Sequence, residues 1–130
     1  MTINKYLKYK LNGQEYRVTF CVNKEASDIS EDLSRLSSDK KMLLIIDKKI
    51  NKEIINNISK DLKQSDFDVT ILRVDGSKKN KDNKLLFKII DRLIEKKFSK
   101  RSVILSCGGG VVGDVSALAS SLYLRGLIYM

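Results

Sequence analysis

Hydrophobic and polar positions along the chain change period early and then keep a second rhythm to the end. Leu7, Tyr9 and Leu11 alternate with polar residues, as do Tyr16, Val18 and Phe20, and Asn12-Gly13 stands between the two runs. A period of two predicts strands, and Asn-Gly tolerates the positive φ of a tight turn. The segment therefore reads as a β-hairpin with those six side chains on its inward face. From Ser27 onward helical and strand patterns alternate. Ile29, Leu33 and Leu36 take helical spacing over Ser27–Leu36, and Met42–Ile46 (MLLII) is an apolar run suited to a buried parallel strand. Ile50, Ile54, Ile55, Ile58 and Leu62 form a second helical stripe, and Phe67–Val74 (FDVTILRV) predicts a strand. Leu85, Leu86, Ile89, Ile90, Leu93 and Ile94 predict a third helix. Val103–Ser106 is the next strand, followed by CGGGVVGD and a small-residue helix to about Leu124.

Three βα units of this length predict an α/β fold, a parallel sheet with helices on both faces, preceded by the hairpin. Function is then expected at the carboxyl ends of the strands. Asp75–Asn83 (DGSKKNKDN) is the one long polar loop, and it leaves the strand that ends near Val74. Leu127–Met130 begins another apolar strand. A domain rarely ends inside a buried strand, so this terminus reads as a truncation, with a short edge strand as the alternative.

Composition narrows the function classes. The chain has 130 residues, 25 basic against 16 acidic, and a net charge of +9, enough apolar content for one domain over residues 1–130. Most of the basic residues are lysines spread along the chain, and tryptophan is absent. Arginine forks and stacking platforms are therefore scarce, and no nucleic-acid partner is expected. No run reaches the roughly 18 apolar residues of a membrane span, and the first ten residues carry no secretory signal, so no membrane partner and a cytoplasmic location are expected. Histidine is absent, which removes imidazole bases and His-ligated zinc from the options. Cys21 and Cys107 have no CxxC spacing and read as inert thiols.

Gly108, Gly109, Gly110 and Gly113 fit GxGxxG, after a strand and before a helix. Glycines there let backbone approach a pyrophosphate, which the helix N-terminus attracts. A glycine turn that only permits close helix–sheet packing is the alternative. Asp114, expected inside the first turn of the helix, would repel phosphate but could accept bonds from ribose or nicotinamide donors.

The stretch GGGVVGDVSALASSLYLRG, Gly108 to Gly126, closely resembles the signature of 3-dehydroquinate synthase and its sister sugar-phosphate cyclases, in which GGGVVGD, a small-residue helix and YLRG occur in this order and spacing. The resemblance extends from about Met42 to the end and more loosely over the hairpin. It implies a Rossmann-like, dehydroquinate synthase-like amino-terminal domain that binds NAD. By resemblance Gly109, Gly110, Val111, Val112, Gly113 and Asp114 contact the cofactor, and Arg125 meets an anionic sugar-acid phosphate substrate, unless it is a surface salt bridge. Asp47 stands where the family's Asp-x-Asn holds the adenosine side, although Lys49 replaces the Asn. Lys81 falls on the lysine of the family's Gly-Glu-x-x-Lys pattern, while Lys78, or Ser77 with a one-residue gap, replaces its glutamate. No catalytic residue is assigned within the chain.

In the resembled enzymes NAD transiently oxidises a seven-carbon sugar-acid phosphate, phosphate leaves, the hydride returns and the ring closes. The resemblance also implies a divalent metal, zinc or cobalt, held by Glu and His residues of a carboxyl-terminal helical domain that this chain lacks, and a homodimeric parent. The implied function is the NAD-binding domain of a 3-dehydroquinate synthase, a phosphate-eliminating lyase of the shikimate pathway that supplies aromatic amino acid biosynthesis, with the fragment itself inactive. A sister cyclase such as 2-deoxy-scyllo-inosose synthase, or a free-standing nucleotide-binding module, are the other readings.

Overall fold

The computed structural model describes residues 5–20 and 33–130. Strands β1 (Lys5–Leu11) and β2 (Gln14–Phe20) pair antiparallel as a separate hairpin. Asn12 and Gly13 take φ of 51° and 79°, the paired positive values that a two-residue turn needs to follow strand twist. Tyr9 lies opposite Tyr16, and their rings stack with centroids 5.2 Å apart. The expected inward face is not covered: Leu7, Tyr9, Leu11, Tyr16 and Val18 are all exposed. A two-stranded ribbon buries nothing by itself, and no second layer of the described residues packs on it. The Phe20 side chain, Cys21 and residues 27–32 of the first expected helix lie outside the described residues; residues 33–36 are helical, with Leu33 fully buried.

The remaining strands, β3 (Lys41–Asp47), β4 (Asp68–Val74), β5 (Val103–Cys107) and β6 (Ile128–Tyr129), form a parallel sheet in the order β4-β3-β5-β6. Met42 to Ile46 are wholly buried, because β3 has neighbours on both edges and helices on both faces. Leu43 and Ile45 pack with the buried residues of α2 (Asn83–Glu95) and α3 (Gly110–Leu122). Met42, Leu44 and Ile46 face the other way, toward Leu33 and the Ile55 and Leu62 of α1 (Lys52–Gln64). Alternation along one strand thus assigns each helix its face. Ile54 and Ile94 of the expected stripes are exposed, since they lie on the order of 100° or more around the helix from the buried Ile55 and Ile89.

At the amino edge of the sheet, Asp39 ties β3 to the loop before β5. Its Oδ2 accepts from the hydroxyls of Ser99 and Ser102, each at 2.7 Å, and its Oδ1 accepts from the Lys41 N–H at 3.1 Å. Burial raises its pKa, but hydrogen bonds from Ser99, Ser102, Lys41 and Ser37 outweigh that and leave it lowered. At the carboxyl edge, the chain goes from β3 to β4 on one side and then crosses back to place β5 on the other. The crevice where strand order reverses lies beyond the end of β3.

Candidate functional site

Three segments converge on that crevice: the turn after β3, the loop after β4 and the glycine loop between β5 and α3. Asp47, last in β3, accepts the Lys49 N–H at 3.0 Å, which turns the chain toward α1. Its side chain fills the space beside Gly76 and Gly108. A Cβ on Gly76 would collide with the Asp47 carboxylate, and one on Gly108 would come within 2.9 Å of Val112 and 3.3 Å of the Asp47 Cβ. These two glycines exist for close packing, the alternative raised for the whole loop.

Gly109 and Gly110 differ. A Cβ on either would meet nothing within 4 Å, and neither has a positive φ. Packing and backbone conformation both leave those positions free to carry a side chain, so the chain's own fold does not explain them. The helix they open is also left uncapped. Asn51 accepts from the Glu53 N–H at the start of α1, and Asp82 accepts from the Leu85 N–H at the start of α2. At α3 the cap is Gly109, which has no side chain to offer. Its first N–H groups keep their hydrogen-bonding capacity and the positive end of the helix dipole.

Val111 and Val112 turn their side chains into the core, 9% and 1% exposed, so only their backbone can serve a ligand. Asp114 is the fifth residue of α3, beyond the first turn in which it was expected, because the helix begins at Gly110. Its carboxylate is exposed and pairs with Lys81 at 2.7 Å, joining α3 to the loop that precedes α2. The pair rims a cleft of about 220 Å³ floored by Leu86 and Val115. Asp47, Lys81, Gly109 to Gly113 and Asp114 are therefore brought to one edge of the sheet.

Arg125 is not. It follows α3 in a short 3-10 turn at the amino edge, after a 13-residue helix that runs about 20 Å from the glycine loop. It is exposed, and among the described residues it makes no ion pair. The surface salt bridge considered for it is not formed among the described residues.

Contacts that the sequence pattern did not indicate complete the site. Tyr129 of β6 donates its hydroxyl to the Gly113 carbonyl at 3.0 Å and hydrogen-bonds Ser106 Oγ at 2.8 Å, holding the start of α3 against the edge strand. Lys48 pairs with Asp75 at 2.7 Å, and Asp75 also accepts the Ser77 N–H. The Lys48 ammonium and these Ser77 bonds hold the Asp75 carboxyl well below the usual carboxylate range. Neither partnership has a local signature, since the residues meet only after the strands pair. Cys107 ends β5 partly buried, and burial raises its pKa, which suits an inert thiol.

A dinucleotide fits this edge: open glycines, an uncapped helix and a crevice at the strand reversal form a place for a pyrophosphate. A metal does not fit the described residues, in which no three His, Cys, Asp or Glu side chains come together. No helix among them is long and apolar enough to cross a membrane.

Residues 71–130 match the family model described as 3-dehydroquinate synthase N-terminal. The 3-dehydroquinate synthase of Clostridium acetobutylicum is 33% identical over 126 residues, which are 97% of this chain and 35% of that protein. The chain spans about a third of the length of such relatives. Among solved structures, 2-deoxy-scyllo-inosose synthase complexed with carbaglucose-6-phosphate, NAD+ and Co2+ superposes with a TM-score of 0.77 at 18% identity, over 96% of this chain and 34% of the other. The 2-epi-5-epi-valiolone synthase of Streptomyces hygroscopicus subsp. jinggangensis, with NAD+ and Zn2+ bound, gives 0.63 at 24% identity over 68% and 25%. At those identities the structures support the fold alone. The signature from Gly108 to Gly126, the matched family model and the curated relatives agree, and the chain belongs to the 3-dehydroquinate synthase family, whose amino-terminal part it matches.

Proposed function

We propose that this chain is the NAD-binding part of a 3-dehydroquinate synthase, the lyase that converts 3-deoxy-arabino-heptulosonate 7-phosphate to 3-dehydroquinate and phosphate. The observation that carries the reading is the pair Gly109 and Gly110, which are open and conformationally ordinary yet lack side chains at an uncapped helix start. NAD, when bound, supplies a reversible hydride acceptor, and hydride removal acidifies the neighbouring C–H so that phosphate can leave.

The chain's own residues position and polarise. The N–H groups at the start of α3 face the pyrophosphate, and Gly109 and Gly110 admit it without a clash. Lys81 and Asp114 stand at the rim as a cation and an acceptor for the polar groups of a ligand that lies across them. Asp47 holds the turn after β3 and packs beside Gly76 and Gly108, which sets the end wall of the crevice. Arg125, exposed at the opposite edge, meets an anionic substrate group only if that group is presented from outside this cleft.

The described residues form no metal site, and turnover belongs to the whole enzyme rather than to these 130 residues. That enzyme is proposed to work in the cytoplasm as a homodimer on a sugar-acid phosphate. The test is calorimetric titration of NAD+ into the chain and into Gly110→Val, whose branched side chain occupies the pyrophosphate path. Binding by the chain and at least about a tenfold loss in the variant is expected; equal affinities refute the reading.

A further inference from the structure

Tyr129 lies outside the glycine motif, yet its hydroxyl reaches the Gly113 carbonyl at 3.0 Å and Ser106 Oγ at 2.8 Å. The edge strand that carries it is fixed on β5 by two backbone bonds of 2.9 Å, from the Met130 N–H to the Ile104 carbonyl and from the Ser106 N–H to the Met130 carbonyl. Ile128 packs on the α1 face of the sheet, so alternation sends Tyr129 to the α3 face. A carbonyl can only accept, and a tyrosine hydroxyl has one proton. Tyr129 therefore donates to Gly113 and Ser106 donates to Tyr129, which gives the contacts a single direction.

Folding does not demand the last of these bonds. Within α3 the Gly113 carbonyl already accepts from the N–H four residues on, at Ala117. Tyr129 is 37% exposed, so water can satisfy its hydroxyl as well. What the bond reaches is the free end of the helix. The Gly113 carbonyl and the Asp114 N–H belong to one peptide group. In the helical ladder that N–H donates to the Gly110 carbonyl, whose own peptide group carries the Val111 N–H. Val111 N–H stands in the first turn, with no partner in the ladder and no side-chain cap. One row of hydrogen bonds thus runs from Ser106 through Tyr129, Gly113 and Gly110 to the Val111 donor. The Gly110 and Val112 donors belong to rows that Tyr129 does not touch, because the Gly109 carbonyl accepts from the Gly113 N–H and the Val111 carbonyl from the Val115 N–H.

Bonds in such a row polarise one another, each by about 10–30%. From this we propose that Tyr129 is a positioning residue for the dinucleotide, acting through Gly113 to hold the start of α3 and to strengthen the Val111 N–H as a donor to the pyrophosphate. The inference rests on the dinucleotide reading above and adds to it a residue, with Ser106 behind it, that no part of the glycine motif contains. Val111 suits the task, since its side chain is buried and only its backbone faces the crevice.

The experiment titrates NAD+ calorimetrically into the chain, Tyr129→Phe, Ser106→Ala and the double variant. Phenylalanine keeps the ring and removes only the hydroxyl. Tyr129→Phe is expected to bind NAD+ about threefold or more weakly, and Ser106→Ala to show a smaller loss of the same kind. In the Tyr129→Phe background Ser106→Ala should change nothing further, because the row is already cut. Amide proton resonances, read without ligand, supply a signature that a general loss of packing would not give: Asp114 and Val111 move upfield in both single variants, and Gly110 and Val112 move less. Circular dichroism checks that each variant is folded, and Ser106→Ala, one step farther from the helix, repeats the test independently. NAD+ binding to Tyr129→Phe as tightly as to the wild type overturns the role of Tyr129 and leaves the dinucleotide site standing. Equal movement of all the first-turn amides, or additive losses in the double variant, overturns it too and makes the tyrosine a brace only. Absence of NAD+ binding by the wild type refutes the dinucleotide reading itself, and the positioning role with it.

Discussion

Replacing Gly108 and Gly110 by alanine, one at a time, separates the two reasons a glycine loop can exist. At Gly108 the new methyl stands 2.9 Å from both Cβ and Cγ2 of Val112 and 3.3 Å from the Asp47 Cβ. Ordinary carbon–carbon contact begins near 3.5 Å, so the overlap with Val112 is roughly 0.6 Å. Val112 is 1% exposed and β-branched on a helix, where one χ1 rotamer dominates, so it cannot swing aside. Relief requires moving α3 off the sheet. Overpacking of this kind costs about 1–3 kcal/mol, and for a chain of this size that lowers Tm by about 4–12 °C. At Gly110 the methyl meets nothing, and alanine is the better helix former, so stability should hold or rise by up to about 1 kcal/mol. Thermal melts followed by circular dichroism, with NAD+ titrations on the same samples, give both readouts. The expected result is crossed: Gly108→Ala melts early, while Gly110→Ala melts normally and binds dinucleotide more weakly. A Gly108→Ala melting point within about 1 °C of wild type would show that α3 yields freely and that Gly108 is not required for close packing.

Three further outcomes test other parts of the structure. Asp39→Ala leaves the wholly buried Ser102 hydroxyl and its neighbours without their acceptor and should cost about 2–3 kcal/mol in urea denaturation at pH 7. Because the folded pKa of Asp39 lies below its ordinary 3.8, its stabilisation is complete above that value and is lost as pH falls through the folded pKa. Wild type should therefore lose more stability than Asp39→Asn on acidification below pH 3.8, and parallel pH profiles would refute the linkage. Ser116 is fully buried, and its hydroxyl has no hydrogen-bond partner among the described residues, so Ser116→Ala should be neutral or stabilising by about 1 kcal/mol, and a loss of stability would reveal a further partner. Lys81→Met breaks an exposed ion pair and should change stability by no more than about 0.5 kcal/mol while lowering dinucleotide affinity; a large drop in melting temperature with intact binding would make the pair purely structural.

Local pattern determined most of the elements. The apolar run of Met42–Ile46 could only be a strand covered on both faces, and the stripes around Ile55 and Ile89 could only be helices against it. The hairpin turn was legible because Asn12-Gly13 satisfies a backbone requirement within two residues. The exposure of its apolar face was not legible, since alternation reveals which side chains share a face and is silent on whether another layer arrives to cover it. The position of the cleft was legible through the glycine loop. Assigning different tasks to its glycines was not, because Gly108 and Gly110 are identical in sequence terms. They differ only in what β3 and α3 bring near each. The same holds for Asp47, whose carboxylate accepts from the Lys49 N–H and packs beside Gly76, and for Arg125, which shares one continuous motif with Gly108. A helix of 13 residues sends that arginine to the far edge of the sheet. Sequence order determines which residues lie on one element. Strand pairing and helix length decide which ends meet, and the site exists at those meetings.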